Sequence, residues 1–309
     1  MKCLFTYKEL QKGDVNYSKD GLKKLNLKLK QMKPFPYTQV EQNRQAQKLA
    51  GKISIQGIQP KFSVQLAVQE GIFKIVETGG TFIVKPQTTL YPELPENEDL
   101  TMHLAKLAGI QVPWHGLIFS EDKSLSYVIK RFDRIGKSGK LAQEDFAQLI
   151  GASRITKYEA SMEKVAEILD ICTFPTLEKI KLFQRTIFSF LVGNEDMHLK
   201  NFSLQTEISG KIQLSPVYDL LNSTIAMSSP EEELALSLRN KKKGFKKVDF
   251  ELFGKEDLYM TEKRIQKEIS SMLFCVPAWM QWIEASFLSK EMKIDYKKLI
   301  NERAKRLSQ

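Results

Sequence analysis

Cysteine and histidine are scarce in this chain, three of each among 309 residues, and their placement excludes two common kinds of staple. Cys3, Cys172 and Cys275 stand far apart with no C-x-x-C pair, so no disulfide framework is expected. His103, His115 and His198 show no zinc-ligand spacing. Long apolar runs are missing too. Nothing approaches the length of a membrane span, and the opening M-K-C-L-F-T-Y-K-E-L lacks the apolar core of a secretory signal. These absences lead to the expectation of a cytoplasmic protein with no membrane partner.

What is present suits a globular chain: 42% hydrophobic and 27% charged residues, over a length sufficient for two packed domains. Lysine and arginine outnumber aspartate and glutamate by 47 to 37, a formal charge of +10 that favours encounter with acidic partners. Nucleic acid, nucleotide phosphates and an acidic protein all satisfy that preference. The charge forms no basic tail, and no RNA-recognition or zinc-finger signature accompanies it.

Residues 1–50 become lysine-rich and polar after the apolar stretch 3–7, and Leu22, Leu25, Leu27 and Leu29 follow no clean helical period. This part reads as a packing and partner-docking extension. Alternation then takes over: Phe62, Val64, Leu66 and Val68 alternate with polar neighbours, and Glu70-Gly71 turns the chain into residues 73–76. Gly79-Gly80 precedes a strand over 81–85 that Pro86 stops. The strand ends on Lys85, which is either a solvated surface lysine or a phosphate contact. A helix follows, with Leu100, Leu104, Leu107 and Ala108 on one face and Gly109 closing it. Glu96 and Glu98 lie near its start, where carboxylates suit the helix dipole, and Glu98 is the preferred ion-pair partner for Lys85.

Two more strands are expected over 112–120 and 127–132. Beyond Gly136, spacings of three and four predict helices over 143–150, 159–171 and 177–191, with one or two more within 279–309. The expected fold class is α+β in two lobes, an antiparallel β N-lobe over 1–135 and a mainly helical C-lobe over 136–309. Arg239, Lys241, Lys242, Lys243, Lys246 and Lys247 form a basic cluster that is either a solvated face or a dock for an acidic partner.

The chemistry is concentrated where the apolar run 186–192 switches abruptly to G-N-E-D-M-H-L-K-N, which sets a polar loop on a rigid support. Asp196 and Asn201 stand five apart in it, the D-x-x-x-x-N spacing by which kinase catalytic loops place a base beside a metal-ligating amide. Asp219 follows in S-P-V-Y-D-L. An Asn and two Asp can together hold magnesium beneath a nucleotide's phosphates. In such a site Asp196 would accept or orient the proton of a Ser or Thr hydroxyl, and Asn201 and Asp219 would be metal ligands. Lys85 would offset phosphate charge, and Lys200 would approach the transferred phosphoryl. His198 either lines the nucleotide site or packs the loop. A polar helix-capping loop shows the same spacing. The order along the chain, with a strand lysine first and a second Asp last, favours the kinase reading and with it a two-lobed, protein-kinase-like fold.

The phrases S-I-Q-G-I-Q-P-K, F-I-V-K-P, L-P-E-N-E, I-K-R-F-D-R, Q-E-D-F-A-Q, K-Y-E, G-N-E-D-M-H-L-K-N and S-P-V-Y-D-L, in this order over about residues 50–250, resemble the HipA-type serine/threonine kinase toxins of bacterial toxin-antitoxin systems. The chain looks like the compact members of three-gene systems, in which a separate small protein supplies an N-terminal subdomain. The resemblance implies ATP and Mg2+ as cofactors. It makes I-K-R-F-D-R the hinge at which Lys130 and Phe132 receive the adenine, with Phe132 reading almost equally well as plain core. It also assigns I-S-I-Q-G-I-Q-P-K to the phosphate-covering loop. That loop has one glycine, Gly57, and fits neither the Walker pattern nor G-x-G-x-x-G.

In the family a serine of this loop is autophosphorylated, which shuts the enzyme off, and Ser54 matches it. Residues 222–230 occupy the position of an activation segment. The implied function is an ATP-dependent, growth-inhibiting protein kinase whose substrate is an aminoacyl-tRNA synthetase. An antitoxin would restrain it, with DNA reached only through that antitoxin. Two other readings stay open: a scaffold or corepressor bound to a DNA-binding antitoxin, and a small-molecule kinase.

Overall fold

Short alternating strands build the first of two units, Met1–Asp99 with Pro113–Arg131 and Ala285–Leu288. The computed structural model describes residues 1–49, 60–136, 139–152, 156–226 and 232–309. In the first unit β1 (Phe62–Ala67), β2 (Ile72–Ile75), β3 (Phe82–Pro86), β4 (His115–Phe119) and β5 (Leu125–Lys130) form one antiparallel sheet in the order β2-β1-β3-β5-β4. Its apolar face buries Phe62, Val64, Phe73, Phe82, Val84 and Val128 in a single core.

The first 35 residues belong to the same core. Helix α1 (Lys19–Leu25) starts at Ser18, whose side chain accepts the Gly21 N–H, and ends at Asn26. Leu22 and Leu25 are buried on it, Leu27 is 85% exposed, and Leu29 and Phe35 are buried again in extended chain. The irregular leucine spacing is therefore a two-turn helix followed by a strand-like return. Phe35 N–H donates to the Phe119 carbonyl at 2.8 Å and Leu117 N–H to the Leu4 carbonyl at 3.3 Å, so the extension covers the edge strand β4. Phe5 lies against Gly116, where an added Cβ would come within 2.5 Å of its ring. Helix α2 (Gln39–Leu49) follows, and α3 (Leu94–Leu107) connects β3 to β4.

A buried polar relay ties the extension to α3 and β4. Tyr7 donates its hydroxyl to Asp99 Oδ2 at 2.9 Å, and His115 Nδ1 lies 2.7 Å from Asp99 Oδ1. Each of the three is at most 5% exposed. Burial, reinforced by the Asp99 charge, pushes the Tyr7 hydroxyl well above its usual pKa and keeps it a donor.

The second unit comprises Leu100–Val112, Phe132–Glu284 and Ser289–Gln309. It opens with a hairpin of β6 (Arg134–Ile135) and β7 (Gly139–Lys140), then β8 (Ala142–Asp145) and α4 (Phe146–Leu149). The helix expected over 143–150 is thus half strand: Gln143 pairs with Gln205 of β9 (Ser203–Thr206), and β10 (Ile212–Leu214) completes a three-stranded sheet. Asp145 explains the switch, because its side chain accepts the Gln148 N–H and caps a helix that can begin only after it. The helix expected over 159–171 is α5 (Met162–Ile168), started by the Ser161 cap and closed by a 3-10 turn over Leu169–Ile171.

Helix α6 (Pro175–Val192) is the axis of this unit, with Pro at its first position. Leu182, Phe183, Ile187, Phe190 and Leu191 are fully buried on it. Helices α7 (Ser223–Ala226), α8 (Lys247–Leu252), α9 (Glu262–Phe274), α10 (Val276–Ala285) and α11 (Lys290–Ser308) surround it. The basic cluster is largely neutralised within the unit: Arg239 pairs with Glu256 and Asp257, Lys241 with Asp249, Lys242 with Glu232 and Lys247 with Glu251. Among the described residues no helix is long and apolar enough to cross a membrane.

The Tyr7 relay predicts that Tyr7→Phe, which leaves a buried carboxylate one donor short, costs roughly 1–3 kcal/mol. Urea denaturation measures this, and an unchanged midpoint would show that the bond contributes nothing.

Candidate active site

In the first unit β3 carries Lys85 opposite Tyr127 of β5, and α3 presents Glu98 to it. The Lys85 ammonium lies 2.6 Å from Glu98 Oε1 and 5.7 Å from the Tyr127 ring centroid. Lys85 is 7% exposed and Glu98 1%, so this lysine is not a solvated surface residue. A charge pair so enclosed is held by geometry, since each partner alone would be a buried unpaired charge. Glu96, the other carboxylate at the start of α3, follows a different course. Its Oε2 is buried without a hydrogen-bond partner, and burial raises its carboxyl from the usual 4.5 to about 7. Lys130 ends β5 with an exposed side chain and its N–H on the Trp114 carbonyl at 2.8 Å. Ser54 and Gly57 lie outside the described residues.

The second unit holds the D-x-x-x-x-N loop. Helix α6 stops at Gly193, which adopts φ +74. A Cβ there would meet Asn222 Oδ1 at 2.6 Å and Thr224 Oγ1 at 2.8 Å, so the position requires glycine twice over. The freed Gly193 carbonyl accepts from the Thr224 N–H, the Ser223 hydroxyl and the Thr224 hydroxyl, each at 3.1 Å. Arg303 of α11 donates to the Phe190 carbonyl at 2.6 Å and to Glu195 Oε1 at 3.2 Å, clamping the end of α6 to the loop.

Beyond this clamp the loop folds on itself. The Asp196 carbonyl accepts the His198 N–H at 2.8 Å and the Asn201 side-chain amide at 2.7 Å. That bond engages Asn201 Nδ2, while its Oδ1 accepts no hydrogen bond among the described residues. Asp219 is half-buried at φ +54, a left-handed conformation that Asp tolerates better than most residues. Its neighbour Tyr218 donates to the Lys200 carbonyl at 2.9 Å, which ties the Asp219 segment to the loop. The Phe132 ring packs 5.7 Å from that of Tyr218 and is half-buried, outside β5. An amide oxygen and a carboxylate are hard oxygen donors of the kind magnesium takes, so Asn201 and Asp219 fit that ion by chemistry.

Asp196 itself is open to solvent, its side chain 46% exposed. Tyr158 donates to its Oδ1 at 2.5 Å. His198 is buried with Nε2 3.8 Å from the same oxygen and 2.5 Å from the Lys157 ammonium. Burial lowers the His198 pKa, the Asp196 charge opposes that shift, and Lys157 adds to it. Lys200 is half-buried, and its ammonium forms no ion pair among the described residues. Sequence reasoning passed over Lys157, Tyr158, Glu195 and Arg303. The first two sit in the K-Y-E phrase, whereas nothing in the spacing of the tail marks Arg303.

An antiparallel unit with a buried strand-lysine and helix-glutamate pair, and a helical unit with a D-x-x-x-x-N loop, define a protein-kinase-like fold. Solved structures share it. HipA of Shewanella oneidensis, in a complex with HipB and its operator DNA, matches 90% of this chain and 72% of its own at TM-score 0.73 and 22% identity. The Helicobacter pylori proinflammatory kinase CtkA matches 76% of this chain and 90% of its own at TM-score 0.54 and 16% identity. The sequence model of the HipA-like C-terminal domain matches residues 53–280, and the chain belongs to that family.

Among its relatives, a Haemophilus influenzae protein provisionally named a kinase is 33% identical over 238 residues, 71% of this chain and 68% of that one. The serine/threonine-protein kinase toxin HipA of Shewanella oneidensis is 30% identical over 208 residues, 60% of this chain and 47% of that one. The aligned region thus spans about two thirds of the first relative and about half of the second.

The raised Glu96 carboxyl yields a pH prediction. Its folded pKa exceeds the unfolded one, so the stability from its protonated form is full below about pH 4.5 and is lost as pH rises through about 7. Glu96→Gln is neutral at every pH. By urea denaturation it should exceed the wild type at pH 8 by roughly 2–3 kcal/mol and lose that advantage at pH 4. Parallel curves for the two proteins would sink this account.

Proposed function

We propose that this chain is an ATP-dependent serine/threonine protein kinase that acts as a bacterial growth-inhibiting toxin. The buried Lys85–Glu98 pair, 2.6 Å apart, is the observation that carries the reading, because protein kinases use such a pair to hold the phosphate-binding lysine. The D-x-x-x-x-N loop supports it from the other unit. There the Asn201 amide nitrogen is tied back to Asp196, and its oxygen is left to act as a ligand.

Each residue then has a task in phosphoryl transfer. Lys85, fixed by Glu98, offsets charge on the nucleotide phosphates. Lys130, whose N–H is held by the Trp114 carbonyl, lies beside the adenine, with Phe132 and His198 as walls. Asp196 accepts the proton of the substrate hydroxyl, and Lys200 neutralises the phosphoryl group in transit. Asn201 and Asp219 would hold magnesium, which when bound supplies charge neutralisation and alignment of the phosphates.

The substrate in this proposal is a protein, with an aminoacyl-tRNA synthetase as the first candidate, and Ser54 is the self-modified residue that switches the enzyme off. The restraining partner would be an antitoxin, following the HipB complex of the Shewanella protein, aided by a separate small N-subdomain-like protein. DNA would be reached only through that antitoxin.

Expression in a bacterial host tests the core of this. Asp196→Asn and Asp219→Asn should each abolish growth inhibition, and label transfer from ATP to lysate protein should fall at least about a hundredfold with the fold intact by circular dichroism. Toxicity surviving both changes would remove the kinase mechanism. Separately, mass spectrometry after incubation with ATP should find phosphate on Ser54, and a phosphorylated protein lacking it there refutes the self-modification.

A further inference from the structure

We infer that Tyr158 is a positioning residue for Asp196. The inference rests on the proposed kinase reading of that carboxylate. Asp196 stands half-exposed in a loop, and a carboxylate so placed rotates unless something holds it. Tyr158 supplies the restraint: its hydroxyl donates to Oδ1 at 2.5 Å. Oδ2 accepts no hydrogen bond among the described residues, which leaves one oxygen for a substrate hydroxyl. The two oxygens thus have separate tasks, one as anchor and one as proton acceptor. In the transfer step the substrate oxygen bonds to the γ-phosphorus, the bond from that phosphorus to the β–γ bridging oxygen breaks, ADP leaves, and the substrate proton passes to Oδ2.

The tyrosine is 37% exposed, and two neighbours brace its ring. Its ring meets the His198 ring edge-on with centroids 4.9 Å apart. The Lys157 ammonium lies 4.7 Å from the Tyr158 ring centroid and 2.5 Å from His198 Nε2. Lys157 and Tyr158 share one 3-10 turn, Thr156–Tyr158, so a single backbone segment delivers both the anchor and its brace. A hydroxyl that merely occupied the place of a substrate would have to withdraw at each turnover. This one is packed by two neighbours on a turn, which suits a permanent support.

The test uses the full chain, labelled ATP and a dialysed, heat-treated bacterial lysate as acceptor. Tyr158→Phe should lower kcat about ten- to a hundredfold with KM for ATP unchanged, because misplacing a reacting group costs rate rather than nucleotide binding. In an Asp196→Asn background the same substitution should have no further effect, whereas a merely structural tyrosine would lower the residual rate by the same factor in both backgrounds. A rise in kcat would show that the hydroxyl competes with substrate, and an unchanged kcat would show that it does nothing; either overturns the inference. A wild type that transfers no label defeats the kinase reading instead. The contact is then judged alone by proton NMR of the hydrogen-bonded hydroxyl, whose resonance must vanish in Tyr158→Phe and shift in Asp196→Asn.

Discussion

The carbonyl of Gly193 is freed when α6 turns into the left-handed region, and two hydroxyls and an N–H from the segment after Asp219 converge on it. That convergence holds the D-x-x-x-x-N loop and the Asp219 segment to one support. A helix end normally leaves its last carbonyls to water or to a cap. Here the caps are Ser223 and Thr224, four and five residues past Asp219, and Arg303 adds a guanidinium from the other end of the unit. Both Asp196 and Asp219 thereby take their positions from the stop of one buried helix. Thr224 and Arg303 also meet on Glu195, whose carboxyl burial pushes up, so this small network is neutralised locally.

Helix α3 performs a comparable service in the first unit through two consecutive residues. Successive side chains on a helix point about 100° apart. Glu98 can therefore meet Lys85 while Asp99 meets Tyr7 and His115. Both carboxylates are buried, and each has a donor or cation for at least one oxygen. The ion pair and the relay fix the same stretch of helix from two directions, which rigidifies the lysine beyond what a single salt bridge does.

Much of this architecture was legible in the sequence, and the unread parts share a physical cause. Strict alternation exposed β1 to β3, and a run of apolar residues with Gly at its end exposed α6, because each signal is local. The spacing of Asp196 and Asn201 is local as well. The strand over 142–145 was hidden because Gln143, Glu144 and Asp145 are all polar, so neither of its faces carries an apolar signature. Tyr158 lies 38 residues from Asp196, and Arg303 lies 108 from Glu195. No periodicity reports contacts across such distances. The basic cluster misleads in the opposite sense, since a run of lysines in sequence looks unopposed until Glu232, Asp249, Glu251, Glu256 and Asp257 fold beside it.

The sheet unit is assembled from parts the ribosome releases far apart in time. Phe5 settles on Gly116, Tyr7 meets Phe287 edge-on at 5.0 Å, and Lys2 donates to the Ala285 carbonyl at 3.0 Å. Residues 2–7 therefore wait for residues 285–287, synthesised some 280 positions later. Until about residue 288 has emerged, the apolar first segment lacks its final cover, a long interval in which an unfinished core is open to chaperones and to aggregation. For such a molecule, translation speed and nascent-chain protection bear on yield alongside the stability of the finished fold.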